Sequence, residues 1–126
     1  MNMALLVKRM EDCPQFIAGD NTRLRELLHP RNDAAPVHYS IAHATLAPGE
    51  SSLPHTLASS EVYHILSGQG LMHVDGEESE VGPGDTIYVP PHANQHIRNT
   101  GSTMLAFLCI VEPAWREEDE IVTSDQ

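Results

Sequence analysis

Two short stretches hold the residues whose types and spacing could do chemistry. From Pro48 to Gly70 the chain reads PGESSLPHTLASSEVYHILSGQG, and from Gly82 to Gly101 it reads GPGDTIYVPPHANQHIRNTG. The first carries His55, Glu61, Tyr63 and His64; the second carries His92, Asn94, Gln95 and His96. Imidazole is the commonest side-chain ligand of transition metals. A carboxylate facing an apolar interior is costly unless a cation or hydrogen-bond donors satisfy it. Polar clusters on separate short strands suggest convergence in a metal pocket, although a histidine such as His55 taken alone is more often structural; Glu61 is either a metal ligand or a general acid/base whose pKa burial would raise. Gln95 offers a neutral carbonyl oxygen, a weaker ligand than imidazole. It would leave more of an ion's charge uncompensated and more positions open to water or substrate. The same weakness admits a pocket that holds an organic ligand and no metal.

The other candidates are weighed against plainer roles. Tyr63 falls on the same strand face as Glu61, where it either lines the cavity and donates a hydrogen bond to ligand or carboxylate, or packs in the core with its hydroxyl satisfied. With Glu61 it makes the catalytic pair expected here. His96 follows Gln95 and should point to the opposite face unless a bulge shifts the register, which suits packing or an interface. His92 lies in a proline-rich loop that could close over a substrate. His43, His64 and His73 alternate against the inward residues and read as outer-face or interface residues. His29 and His38 carry no signal. No GxSxG elbow, phosphate-cradling glycine loop, CxxC or HExxH is present.

The elements that must position these residues are mostly short strands. Phe16–Ala18 reads as a short strand. GDNTRLRELLHP offers Asp20, Asn21 or Thr22 as an N-cap, Leu24, Leu27 and Leu28 as an apolar stripe and Pro30 as terminator, which predicts one short helix. From Val37 the pattern is of strands: 37–46, 53–57, 61–66, 71–74, 79–81, 86–89, 95–98 and 104–111, separated by Pro-Gly, Asp-Gly and Gly-Pro-Gly-Asp turns. In 61–66, Glu61, Tyr63 and Ile65 share one face. Short strands at such spacing predict an all-β sandwich or barrel. The acidic tail from Trp115 is expected to fray.

Composition sets outer limits. The 126 residues suffice for one domain with a sizeable core. A formal charge of −11 argues against nucleic acid or anionic membrane as partner. The acids of 75–80 and 117–120 read as solvated turn and tail charge. No apolar run approaches the roughly 20 residues of a membrane span. The four-residue run Ala4–Val7, with its basic residues after it, is not a signal peptide, so a cytoplasmic location is expected. Cys13 and Cys109 are expected to be free thiols.

Gly49, five residues, His55, then Glu61 and Gly68 resemble the first sequence motif of the cupin family. Gly84, five residues, Pro90 and then Asn99 resemble the second. The runs EVYHIL, PPHANQ and FLCIVEPAW resemble a subgroup of small cupins, and the likeness spans about residues 40–111. Leu57 stands where the family has its second histidine, His92 where it has a glycine, and Gln95 where it has another histidine.

The resemblance implies a cupin-type double-stranded β-helix (a jelly-roll barrel) over 37–113, with an N-terminal arm and short helix over 1–36 and an acidic tail over 114–126. It implies a homodimer, and one divalent ion (Fe, Mn, Ni or Zn) held by His55, Glu61 and Gln95. Cys109 resembles a cavity-facing position. The function expected is that of a metalloenzyme, of oxygenase, isomerase or lyase type, on a small polar or carbonyl-containing compound. The alternative is a non-catalytic protein that binds a sugar or organic acid in the same barrel. Arg98 alone makes no phosphate site.

Overall fold

The computed structural model describes residues 5–123, so the first residue of the Ala4–Val7 run and the last three of the acidic tail lie outside it. In chain order the strands are β1 (Gln15–Ile17), β2 (Arg23–Leu28), β3 (Ser40–Leu46), β4 (His55–Leu57), β5 (Ser60–Ser67), β6 (Gly70–Val74), β7 (Glu77–Val81), β8 (Thr86–Val89), β9 (Gln95–Asn99), β10 (Leu105–Glu112) and β11 (Glu120–Val122). They form two antiparallel sheets, ordered β1-β2-β3-β10-β5-β8 and β11-β4-β9-β6-β7. This is the all-β jelly-roll barrel expected. Helical structure among the described residues is limited to two 3₁₀ turns, Met10–Asp12 and Glu117–Asp119, so no helix is long and apolar enough to cross a membrane.

Alternation along the strands fills the barrel. In β5, Glu61, Tyr63 and Ile65 are buried; in β10, Leu105, Phe107, Cys109 and Val111 are buried. The half of the barrel around Leu46, Ile65, Ile97 and Leu105 is solid, each of these side chains being fully buried. Asn99, 1% exposed, ties that end: its Nδ2 donates to the carbonyls of Leu46 (2.9 Å) and Thr103 (2.8 Å), and its Oδ1 accepts from the Gly101 N–H. Gly68 sits at φ +89°, where a Cβ would come within 2.7 Å of the Met104 carbonyl oxygen, so only glycine lets β5 turn so close to β10.

Two expectations are corrected. Residues 23–28 form a strand, not a helix. Paired with β1 on one side and β3 on the other, this segment gains sheet hydrogen bonds and buries Leu24 against the core. An isolated helix this short would be marginal in water, and tertiary pairing overrides the propensity of Leu, Arg and Glu. The cap signal has a different local use: Asp20 Oδ1 accepts from the Thr22 N–H (3.2 Å) and hydroxyl (2.8 Å), closing a turn in which Asn21 adopts φ 76°. The tail does not fray within the described residues. Glu120, Ile121 and Val122 pair with Leu57, Thr56 and His55 of β4. Cys13 and Cys109 are both free, as expected.

Candidate metal centre and cavity

The unfilled half of the barrel holds a cavity of about 120 Å³. Strand β4 brings in His55, β5 brings Glu61, β10 brings Cys109, the turn before β2 brings Asp20 and β11 brings Glu120. His55 is 2% exposed. Its Nδ1 lies 2.9 Å from the Leu53 carbonyl oxygen, and since a carbonyl can only accept, Nδ1 carries a proton. That leaves Nε2 as the ring atom aimed into the cavity, the orientation a backbone partner imposes on a ligating histidine. Asp20 Oδ2 and Glu120 Oε2 each lie 3.9 Å from that nitrogen, too far for a hydrogen bond.

These three ligand atoms fit a cation. They lie within 4.8 Å of one another. A transition metal bound at about 2.0–2.2 Å sets its ligand atoms roughly 3–4 Å apart, so little movement is required. Two carboxylates and an imidazole nitrogen converge in a cavity that no lysine or arginine lines among the described residues. His29, which also lines it, is occupied: Nε2 donates to the Trp115 carbonyl (2.8 Å), so Nδ1 accepts from the Arg31 N–H (3.1 Å).

Glu61 lines the same cavity, 6% exposed. Burial lifts its pKa from 4.5 to about 7, against the pull of His55 and with the push of Asp20; the Cys109 thiol is its hydrogen-bonding neighbour. Burial also raises the carboxyl of Glu120, again opposed by His55. The Cys109 thiol is raised by burial and by Glu61, which keeps it an unreactive thiol at neutral pH.

Gln95 and Tyr63 sit one layer behind. Gln95 is opposite His55 in the single β4–β9 register pair. Its Oε1 accepts a 2.5 Å hydrogen bond from the Tyr63 hydroxyl, and neither side chain lines the cavity. Tyr63 stacks on Phe107 with ring centroids 5.3 Å apart. Tyr63→Phe leaves the buried amide oxygen of Gln95 without its donor and should cost about 1–2 kcal/mol. Urea denaturation checks this, an unchanged midpoint counting against it.

The remaining histidines lie elsewhere. His96 faces away from Gln95 and stacks on His73, centroids 4.0 Å apart. His64 meets the Thr86 hydroxyl on the outside, and His43 is half-buried on β3. His92 is exposed at φ 68° and does not line the cavity. Asp20, Glu120 and His29 are the residues the sequence reading missed. Asp20 reads as a helix cap, Glu120 is one of a run of tail acids, and His29 follows two leucines before a proline.

Comparison with known proteins agrees with this fold. The family model of the cupin domain matches residues 42–111. An uncharacterized protein of Methanocaldococcus jannaschii is 38% identical over 120 residues, 94% of this chain and 95% of that protein. A Thermotoga maritima protein named as oxalate-binding is 34% identical over 71 residues, 56% of this chain and 59% of its own. A crystal structure from the same organism, described as a predicted oxalate decarboxylase, superposes with a TM-score of 0.76 at 25% identity, covering 86% of this chain and 99% of that one. With more than half its length matched by the family model and its strands in jelly-roll order, the chain belongs to the cupin family.

Proposed function

We propose that this cupin binds one divalent metal ion, of the Fe, Mn, Ni or Zn class, through His55, Asp20 and Glu120, and acts with it on a small polar or carbonyl-containing compound. The observation that carries the reading is the unshared Nε2 of a buried histidine facing two carboxylates at 3.9 Å in a cavity without a basic side chain. A bound ion would supply Lewis acidity toward a carbonyl oxygen or a bound water. The chain's own residues do the rest. Leu53 holds the tautomer of His55. Asp20 spends Oδ1 on Thr22 and so keeps Oδ2 turned inward. Glu61, with a pKa near 7, can take or return a proton at neutral pH, which suits a general acid/base.

The second reading is a binding protein without turnover, favoured by the Thermotoga relative named for oxalate binding. Metal content decides first. Protein purified without an affinity metal, then incubated with Fe, Mn, Ni or Zn, is expected to hold close to one ion per chain. His55→Ala, Asp20→Asn and Glu120→Gln should each weaken that binding tenfold or more, because even outer partners of a ligand are worth 10–100-fold. Gln95→Ala should leave it within a few-fold; a loss there equal to that of His55→Ala would return the ligand set to His55, Glu61 and Gln95. Wild type that stays empty with all four metals sinks the metal reading and leaves the binding protein.

A further inference from the structure

The outer face of the second sheet carries a cluster that the cavity does not use. His73 of β6 lies directly opposite His96 of β9 on one side and Glu78 of β7 on the other. The two imidazole rings stack, with centroids 4.0 Å apart and planes 13° apart. Glu78 Oε2 lies 3.1 Å from His73 Nδ1, and the His73 side chain is 21% exposed, so solvent reaches the cluster. Met72, Gln95 and Ile97, which alternate with these residues, are buried in the barrel. The nearest polar groups along the strands are spent on one another. Asp75 Oδ1 accepts from the Asn94 N–H (2.8 Å), and Asn94 Nδ2 donates to the Thr123 hydroxyl (3.2 Å). Neither competes for the imidazoles.

We infer that His73 and His96 chelate a Cu(II) ion between β6 and β9, with Glu78 behind His73 and water in the remaining positions. A carboxylate beside one ring nitrogen draws the proton there and leaves the lone pair on the other, the arrangement found behind metal-bound histidines. Opposed residues of an antiparallel pair hold their Cβ atoms about 4.5–5.5 Å apart, so the backbone register already brings both rings to one place. Two nitrogens bound at about 2.0–2.1 Å to one ion lie roughly 3 Å apart. Turning the stacked rings about their Cβ–Cγ bonds, a torsion with broad wells, reaches that separation while the strands stay fixed. Imidazole nitrogens with water oxygens in a tetragonal set suit Cu(II), which also stands highest in affinity among the first-row divalent ions. Two nitrogens hold Zn(II) or Ni(II) more weakly, so these leave on desalting and do not add to the ion counted in the cavity. None of the three residues lines that cavity, so the inference stands apart from the central metal reading.

The test is a Cu(II) titration of the full-length His55→Ala protein at pH 7.5, followed by calorimetry and electron paramagnetic resonance. Removing His55 disables the central site, so the outcome does not depend on the central ion. One Cu(II) per chain is expected, with the hyperfine pattern of two imidazole nitrogens. His73→Gln and His96→Gln should each weaken binding by at least about tenfold and leave a single nitrogen. Glu78→Ala should weaken it by a smaller factor, since it removes only the group behind His73. His64→Gln, on the outside of the other sheet, should change nothing. A chain that binds no Cu(II), a signal without two nitrogens, or an affinity that survives His96→Gln overturns the inference. So does an equal loss in His64→Gln, which would mark adventitious binding at surface histidines. If His55→Ala does not fold, the same substitutions are made in wild type. There, the loss of one Cu(II) per chain in His73→Gln and His96→Gln, and not in His64→Gln, decides.

Discussion

At pH 8, metal-free protein carrying Glu61→Gln is expected to be more stable than wild type by about 1–3 kcal/mol, and at pH 4 to lie within about 1 kcal/mol of it. Glu61 is the reason. In the folded protein burial keeps its proton on up to about pH 7, whereas the unfolded chain releases it near 4.5. Between those values the folded state binds more protons, so wild-type stability falls as pH rises through this window. A shift of that size corresponds to about 3 kcal/mol once the window is crossed. Glutamine keeps the shape and removes the charge. Glu120, also raised by burial, adds a slope of the same sign, and its charge pushes Glu61 up as well. Urea midpoints from pH 4 to 8 provide the measurement, and parallel curves for the two proteins would show that Glu61 ionises without penalty.

That carboxylate was legible in the sequence, and the reason is local. Strand alternation places Glu61 inward with Tyr63 and Ile65, and Asp75-Gly76, with φ of 50° and 84°, is the two-residue turn its residue types predict. Where period two and turn chemistry agree, as over 60–112, strand and face both follow from the sequence. They fail together at the edges. Leu24, Leu27 and Leu28 are spaced as a helix stripe, and only pairing with β3 makes 23–28 a strand. Asp20 and Glu120 reach the cavity because the turn before β2 and strand β11 come together there, a long-range fact with no local signature. Glu120 in particular is indistinguishable by sequence from its neighbours Glu117 and Glu118, which are solvated. Gln95 shows the converse: its position is as the motif implies, yet its oxygen is held by Tyr63, behind the cavity wall.

Ending the chain after Ala114 should weaken Zn(II) binding by at least about 100-fold and lower stability by about 2–5 kcal/mol. A hundredfold in affinity is about 2.8 kcal/mol, a similar free energy, but it falls on one site, because the tail is a small part of the fold and a large part of the cavity wall. Ile121 and Val122 are 63% and 43% exposed, so β11 buries little apolar surface. The bonds lost are those of the β4–β11 ladder, Ala58 to Asp119 (3.0 Å), Thr123 to Pro54 from its N–H (2.9 Å) and its hydroxyl (3.0 Å), Asn94 to Thr123 (3.2 Å), Trp115 to Ser40 (2.9 Å) and His29 to Trp115 (2.8 Å). Each is worth about 1 kcal/mol net, and part of that is offset by the freedom the tail regains. At the site the losses converge. Glu120 goes, the Trp115 wall opens the cavity to water, and His29 loses the carbonyl that fixes its ring. Water raises the local dielectric and weakens the attraction of Asp20 and His55 for an ion. Glu120→Gln in the full chain separates these contributions, since it removes the carboxylate and keeps the wall. A truncated protein that binds zinc as tightly as wild type would mean that the ion sits with Glu61 on the barrel's own strands, and that β11 only covers it.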